Sequence, residues 1–132
     1  MDATEIIACG YTPAPPHPKL AKTAMGADSL VPSRTFPDSI SAINALRKEG
    51  VSKILAVETA DTGIPPWEVE YEFPLALVFG NEALGVAPDT LEICDGAISL
   101  PMLGHKTSIN VGNCAAVVLY SVAAFLTRRE RN

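Results

Sequence analysis

The five residues Leu75–Phe79 are apolar without interruption, and the run stops at Gly80. A strand with one wet face alternates apolar and polar residues. An unbroken apolar run of this length, closed by glycine, reads instead as a strand buried on both faces, the usual condition in a parallel sheet flanked by helices. Other segments follow the same plan. "TEIIAC" (Thr4–Cys9) is a short strand pattern closed by Gly10, "SKILAVE" (Ser52–Glu58) is another, and "GAISLP" (Gly96–Pro101) a third. Helical patterns lie between them. "LAKTAMGA" supplies one or two turns ending at Gly26. "FPDSISAINALRKEG" carries a cap at Asp38 or Ser39, an apolar stripe of Ile40, Ile43 and Leu46, basic residues in its last turn and a stop at Gly50. "APDTLEICD" is a short helix with Pro88 near its start, and an apolar helix runs from about Asn113 to Arg128. Strands alternating with helices specify an α/β fold with a mostly parallel sheet.

Two connections are not regular. "GYTPAPPHPK" must be extended, because each proline biases its predecessor away from the helix, and "DTGIPPWEVEYEF" is turn-rich and acidic. There is no internal repeat. With 132 residues the chain suits one domain with one core, and 48% hydrophobic against 19% charged residues is a globular balance. "AAVVLYSVAAFL" falls short of the roughly 20 residues of a bilayer span, and no signal-peptide pattern opens the chain. Cys9, Cys94 and Cys114 are odd in number, widely spaced and outside any C-x-x-C arrangement, which fits reduced thiols in a cytoplasmic protein. A net charge of −5 argues against sequence-blind binding of polyanions, although a local basic patch is compatible with it.

In open parallel sheets the ligand sits beyond the carboxyl ends of the strands. Two glycine-marked turns fall there: Gly80 after Leu75–Phe79, and the loop Pro101–Gly104 after "GAISL". Neither G-x-G-x-x-G nor G-x-x-x-x-G-K-[ST] is present, so the usual phosphate loops are excluded. His17 and His105 have no cysteine or acidic partner at ligand spacing, so no metal is expected. Lys19, Lys22 and Arg34 are candidates for a basic face, and His105 and Lys106 for contact with a phosphate or a carboxylate, a small set in an acidic chain. Taken alone, the residues define an α/β domain with a small-molecule site.

The paired segments "LVFGNEALGV" and "ISLPMLGHKTSINVGNCAAVVLYS" go further. They resemble the second and third motifs of the SpoU (TrmH-like) RNA methyltransferases of the SPOUT superfamily, and "IIACGYTPAPPHPKLAKTAMGADSLVP" resembles the segment that precedes them in a subset of that family. One departure is Gly112, where a serine is common. The resemblance covers nearly the whole chain and implies one SpoU-type methyltransferase domain over residues 1–132 with a deep C-terminal trefoil knot. It also implies S-adenosylmethionine as cofactor, tRNA or rRNA as substrate, and a homodimer paired through the C-terminal helix. By the same resemblance, Leu100, Met102 and Ile109 form an apolar slot for the adenine, with Val57 at its edge. Gly80 and Gly104 are small so that knotted loops pass closely, and Ser108 lines the cofactor site or caps the last helix. Glu82 and Asn110 are the candidate catalytic residues.

The family's first motif, which carries an asparagine and an arginine that activates the ribose 2′-hydroxyl, has no counterpart upstream of "MDATEIIACG". That hydroxyl is almost fully protonated at neutral pH and needs activation. The expectation is therefore an N-terminally shortened α/β-knot that binds the cofactor and transfers methyl groups poorly. A shortened form of a longer chain and a natural remnant both fit. The alternatives are a non-catalytic knot that binds S-adenosylmethionine or RNA, and a nucleotide-binding α/β domain without methyl chemistry.

Overall fold

The computed structural model describes residues 3–58, 63–105 and 109–131. They form two compact units, one within residues 2–46 and one within 47–132.

In the first unit β1 (Ile6–Cys9) and β2 (Ser33–Phe36) pair in parallel, with Ile6 opposite Ser33 and Cys9 opposite Phe36. The sequence pattern misses β2, because Ser33, Arg34 and Thr35 are polar and prolines flank the strand. What compensates is an ion pair. Arg34 donates through Nε and Nη2 to both carboxylate oxygens of Glu5, and its guanidinium lies over the Phe36 ring, 5.5 Å from the centroid. Helix α1 (Pro18–Ala24) starts with proline in its first turn and is capped by His17, whose Nδ1 accepts the Lys19 N–H at 3.2 Å. It ends through left-handed Met25 and Gly26. Helix α2 (Ser39–Lys48) is capped by Asp38, whose Oδ1 accepts the Ser41 N–H at 2.6 Å; this bond holds the Asp38 carboxyl below its ordinary range. Ala42 and Ile43 are its buried residues, and Gly50, at φ +93°, follows the last turn.

The second unit is a three-stranded parallel sheet in the order β4 (Leu75–Phe79), β3 (Lys53–Val57), β5 (Gly96–Ile98). Val57 lies opposite Phe79 on one side and Ile98 on the other, so the three carboxyl ends share one edge. Ile54 to Val57 are all buried, as a central strand requires. The unbroken run Leu75–Phe79 is not fully buried as its pattern predicts. Every residue in it is only half-buried, because β4 has a single neighbouring strand in this sheet. Leu55, Val57, Ile98 and Leu100 pack with Tyr71, Cys114 and Val118 into one core cluster, with Leu75, Leu77, Phe79, Val122 and Phe125 at its margin.

Helix α3 (Pro88–Ile93) is short, and helix α4 (Val111–Glu130) is the longest element. α4 begins two residues earlier than expected because Asn110 caps it, accepting the N–H groups of Gly112 and Asn113 at 2.9 and 3.3 Å. Its residues Cys114 and Val118 are buried, whereas Val117, Tyr120 and Leu126 on other faces are exposed. Trp67, Ala116, Val117, Tyr120, Ser121 and Ala124 line a shallow depression of about 830 Å³. By length and composition α4 is long and apolar enough to cross a membrane, although little of it is buried within the chain. Tyr71 holds the acidic segment before β4. Its hydroxyl donates to Pro66 O at 2.7 Å, its ring meets Phe125 edge-on at 5.4 Å, and burial pushes its phenol up to about 12.

Candidate functional site

The carboxyl edge of the β4–β3–β5 sheet gathers most of the residues singled out from sequence. Val57 ends β3, Gly80 follows β4, and Leu100 lies just past β5; Val57 and Leu100 are buried in the same cluster. Such an edge presents apolar walls together with backbone groups that a sheet does not use, which suits a mixed apolar and polar ligand. Met102 and Ile109 are each 36% exposed, Met102 in the loop beyond β5 and Ile109 just before the α4 cap. Ser108 and Lys106 lie outside the described residues.

Glu82 and Asn110, far apart in sequence, come together. Asn110 Nδ2 donates to Glu82 Oε1 at 3.4 Å, and both side chains face solvent. The Asn110 oxygen is already used in capping α4. Glu82 is carried by a tight turn in which Asn81 N donates to Gly85 O at 3.1 Å and Gly85 N to Asn81 O at 2.8 Å. Asn81 Oδ1 accepts the N–H groups of Ala83 and Leu84 from within it.

That turn gives Gly80 a reason within its own segment. A Cβ there would fall 2.5 Å from Gly85 O and nearer still to Gly85 C and Val86 N, all of them backbone atoms that cannot rotate aside. The glycine is needed by its own turn, so a larger residue would disturb the fold as well as the site. Gly104 differs again. Among the described residues nothing lies within 4 Å of a Cβ placed there.

Two residues at this edge were not recognised from sequence. Glu58, the first residue after β3, turns its carboxylate under the Gly80–Val86 turn and accepts the Val86 N–H at 2.7 Å, while its own N–H donates to Ile98 O at 2.9 Å. Gly85, at φ +69°, leaves room for that carboxylate. The signal available was a carboxylate placed directly after a buried strand. Gly63 is the other. A Cβ there would meet the backbone N of Ser99 at 2.7 Å, beside the Ile64–Ile98 bridge that extends the sheet by one rung.

None of the thiols is activated. Burial pushes Cys9, Cys94 and Cys114 up, helped by the negative charges of Asp38, Asp95 and Glu58 respectively. Among the described residues no three His, Cys, Asp or Glu side chains are grouped to hold a metal ion, and His17 serves as a helix cap.

The shared strand edge, the glycine turn and the helix cap together form a candidate ligand edge on an α/β domain. The SpoU rRNA Methylase family model matches residues 1–120, and the chain belongs to that family. It is 36% identical over 103 residues to the tRNA (guanosine(18)-2′-O)-methyltransferase of Thermus thermophilus, a match that covers 78% of this chain and 53% of the relative. It is 33% identical over 100 residues to the 23S rRNA (guanosine-2′-O-)-methyltransferase RlmB of a Burkholderia species, covering 76% of this chain and 40% of that one. The structure superposes on the SpoU methyltransferase AviRb of Streptomyces viridochromogenes, solved in complex with AdoMet, with a TM-score of 0.79 at 24% identity. That superposition covers 96% of this chain and 48% of AviRb, and it shows the fold. The chain thus spans about half the length of these relatives.

Proposed function

We propose that residues 1–132 belong to one domain of a cytoplasmic, S-adenosylmethionine-dependent RNA methyltransferase that modifies the ribose 2′-hydroxyl of tRNA or rRNA. The observation that carries this is the convergence of the two glycine-bearing motifs on one strand edge, with Glu82 and Asn110 within hydrogen-bonding distance of each other. The edge fits the cofactor: Val57 and Leu100 offer apolar walls, Met102 and Ile109 are partly open, and the strand ends supply backbone donors and acceptors. In this reading Val57, Gly80, Leu100, Met102, Ser108 and Ile109 hold the cofactor, whose sulfonium supplies the methyl group. Glu82 orders the loop and a substrate hydroxyl, and Asn110 fixes Glu82 in place. The family resemblance supports a deep trefoil knot around this edge.

The exposed face of α4 supports a homodimer. Val117, Tyr120 and Leu126 lie open beside Trp67, more apolar surface than one buried stripe requires, and a second copy of the chain covers it in this reading.

Isothermal titration with S-adenosylmethionine, followed by methyl transfer to bulk RNA, tests the proposal. Saturable binding with label incorporated at ribose supports it, and no binding at millimolar cofactor refutes the site. Binding without transfer would favour the reading as a non-catalytic knot.

A further inference from the structure

We propose that Glu58 is a positioning residue for the cofactor edge, acting through the turn that carries Glu82. This inference rests on the site reading above. Glu58 is the first residue beyond the buried strand β3, and its backbone is held in the sheet by the bond from its N–H to Ile98 O. The carboxylate is thus anchored to the most buried strand of the unit. From there Oε2 accepts the N–H of Val86, itself 6% exposed, at 2.7 Å. An acceptor of charge strengthens such a bond, and removing it would leave a buried donor without its partner.

The contact is built for this carboxylate. Gly85 adopts φ +69°, and a Cβ on it would run into Glu58 Oε2. Gly85 in turn exchanges two backbone bonds with Asn81 and sits where any side chain on Gly80 would collide. Glu58, Val86, Gly85, Asn81 and Gly80 therefore form one connected piece, with Glu82 at its tip and the Asn110 amide as the next contact. The carboxylate also bears electrostatically on buried Cys114 in the first turn of α4. Strand end, glycine turn and helix start are thus all within reach of one side chain. In this proposal Glu58 touches neither cofactor nor RNA and sets where the Gly80 backbone and Glu82 stand.

The test is a comparison of wild type with Glu58→Gln, Glu58→Asp and Glu58→Ala in the 132-residue chain. S-adenosylmethionine is titrated calorimetrically well below the melting temperature, with amide exchange at Val86 as a second readout. Gln keeps an acceptor at the same reach without the charge, and Asp keeps the charge but falls one methylene short. Expected are a Kd within about threefold of wild type for Gln, and a loss of about tenfold for Asp and Ala, with faster Val86 exchange in those two. A merely structural role lowers the melting temperature but leaves the Kd of a still-folded protein unchanged. If wild type binds and the Asp variant binds equally, or the Gln variant loses as much as Ala, the role of Glu58 is overturned. No saturable binding by wild type overturns the site reading, and this inference with it. If Ala does not fold, the Gln and Asp variants decide the question between them.

Discussion

Gly80→Ala is expected to weaken the fold, although it adds a single methyl at a partly exposed turn. The methyl would sit 2.5 Å from Gly85 O and closer to two further backbone atoms, so no rotamer relieves the overlap and the turn must open. Three bonds depend on the closed turn: Asn81 N to Gly85 O, Gly85 N to Asn81 O, and Val86 N to Glu58 Oε2. Neutral bonds contribute about 1 kcal/mol each, and a bond to a carboxylate about 1.5–3 kcal/mol. Asn81 to Leu84 are exposed, so water replaces part of the first two. The net loss is then about 2–3 kcal/mol, or roughly 10 °C in melting temperature for a chain of this size. Urea unfolding followed by circular dichroism measures it. Gly104→Ala is the control, with nothing among the described residues within 4 Å of its Cβ and an expected change within about 0.5 kcal/mol. A Gly80→Ala protein as stable as wild type, or a Gly104→Ala protein that falls as far, would refute the reasoning.

Asp95 joins three segments: it accepts the N–H of fully buried Ile54 at 2.7 Å and pairs with Arg47 at 3.0 Å. The Arg47 hydrogen bond, then the Ile54 N–H, hold its carboxyl below the ordinary 3.8. A depressed folded value means the stabilisation is present above about pH 4 and is lost as pH falls through the folded value. Asp95→Ala is expected to cost about 2 kcal/mol at pH 7 by denaturant unfolding, with the difference from wild type shrinking below about pH 4. Asn110→Ala is expected to cost about 1 kcal/mol through the lost cap, whereas Asn110→Asp keeps the cap and sets two carboxylates together, so it should retain stability and lose methyl transfer. An Asp variant as active as wild type would remove Asn110 from the site. Tyr120→Glu, on the exposed face of α4, should give monomers by light scattering where wild type is dimeric; a monomeric wild type would overturn the dimer.

The pattern that was legible in sequence is the one set by local physics. Asp38, Pro88 and Gly50 mark helix limits by capping, fixed φ and positive φ, and all three serve in those places. The strand β2 was not legible, because its pairing depends on Arg34 meeting Glu5, a partner 29 residues away. The burial of Leu75–Phe79 was overestimated for a related reason. Apolar composition reports what a strand can bury, and its position at the end of the β4–β3–β5 order decides what it does bury. At the site, Glu82 and Asn110 were found through the motif, but their contact is a property of the fold alone.

The edge combines two kinds of construction. On one side, Glu58, Gly80, Gly85 and Val86 are locked by backbone contacts and one carboxylate, with little room for substitution. On the other, Met102, Leu103 and Ile109 project from the loop beyond β5 and the approach to α4 with a third or more of their surface exposed. Among the described residues, the Glu82–Asn110 hydrogen bond at 3.4 Å links the two sides, long enough to be weak and exposed enough for water to compete with it. A locked half thus faces an open apolar one at the same strand edge. Asn110 also caps α4, whose first turn holds Cys114 against the core. The same asparagine therefore serves both the start of α4 and the contact to Glu82.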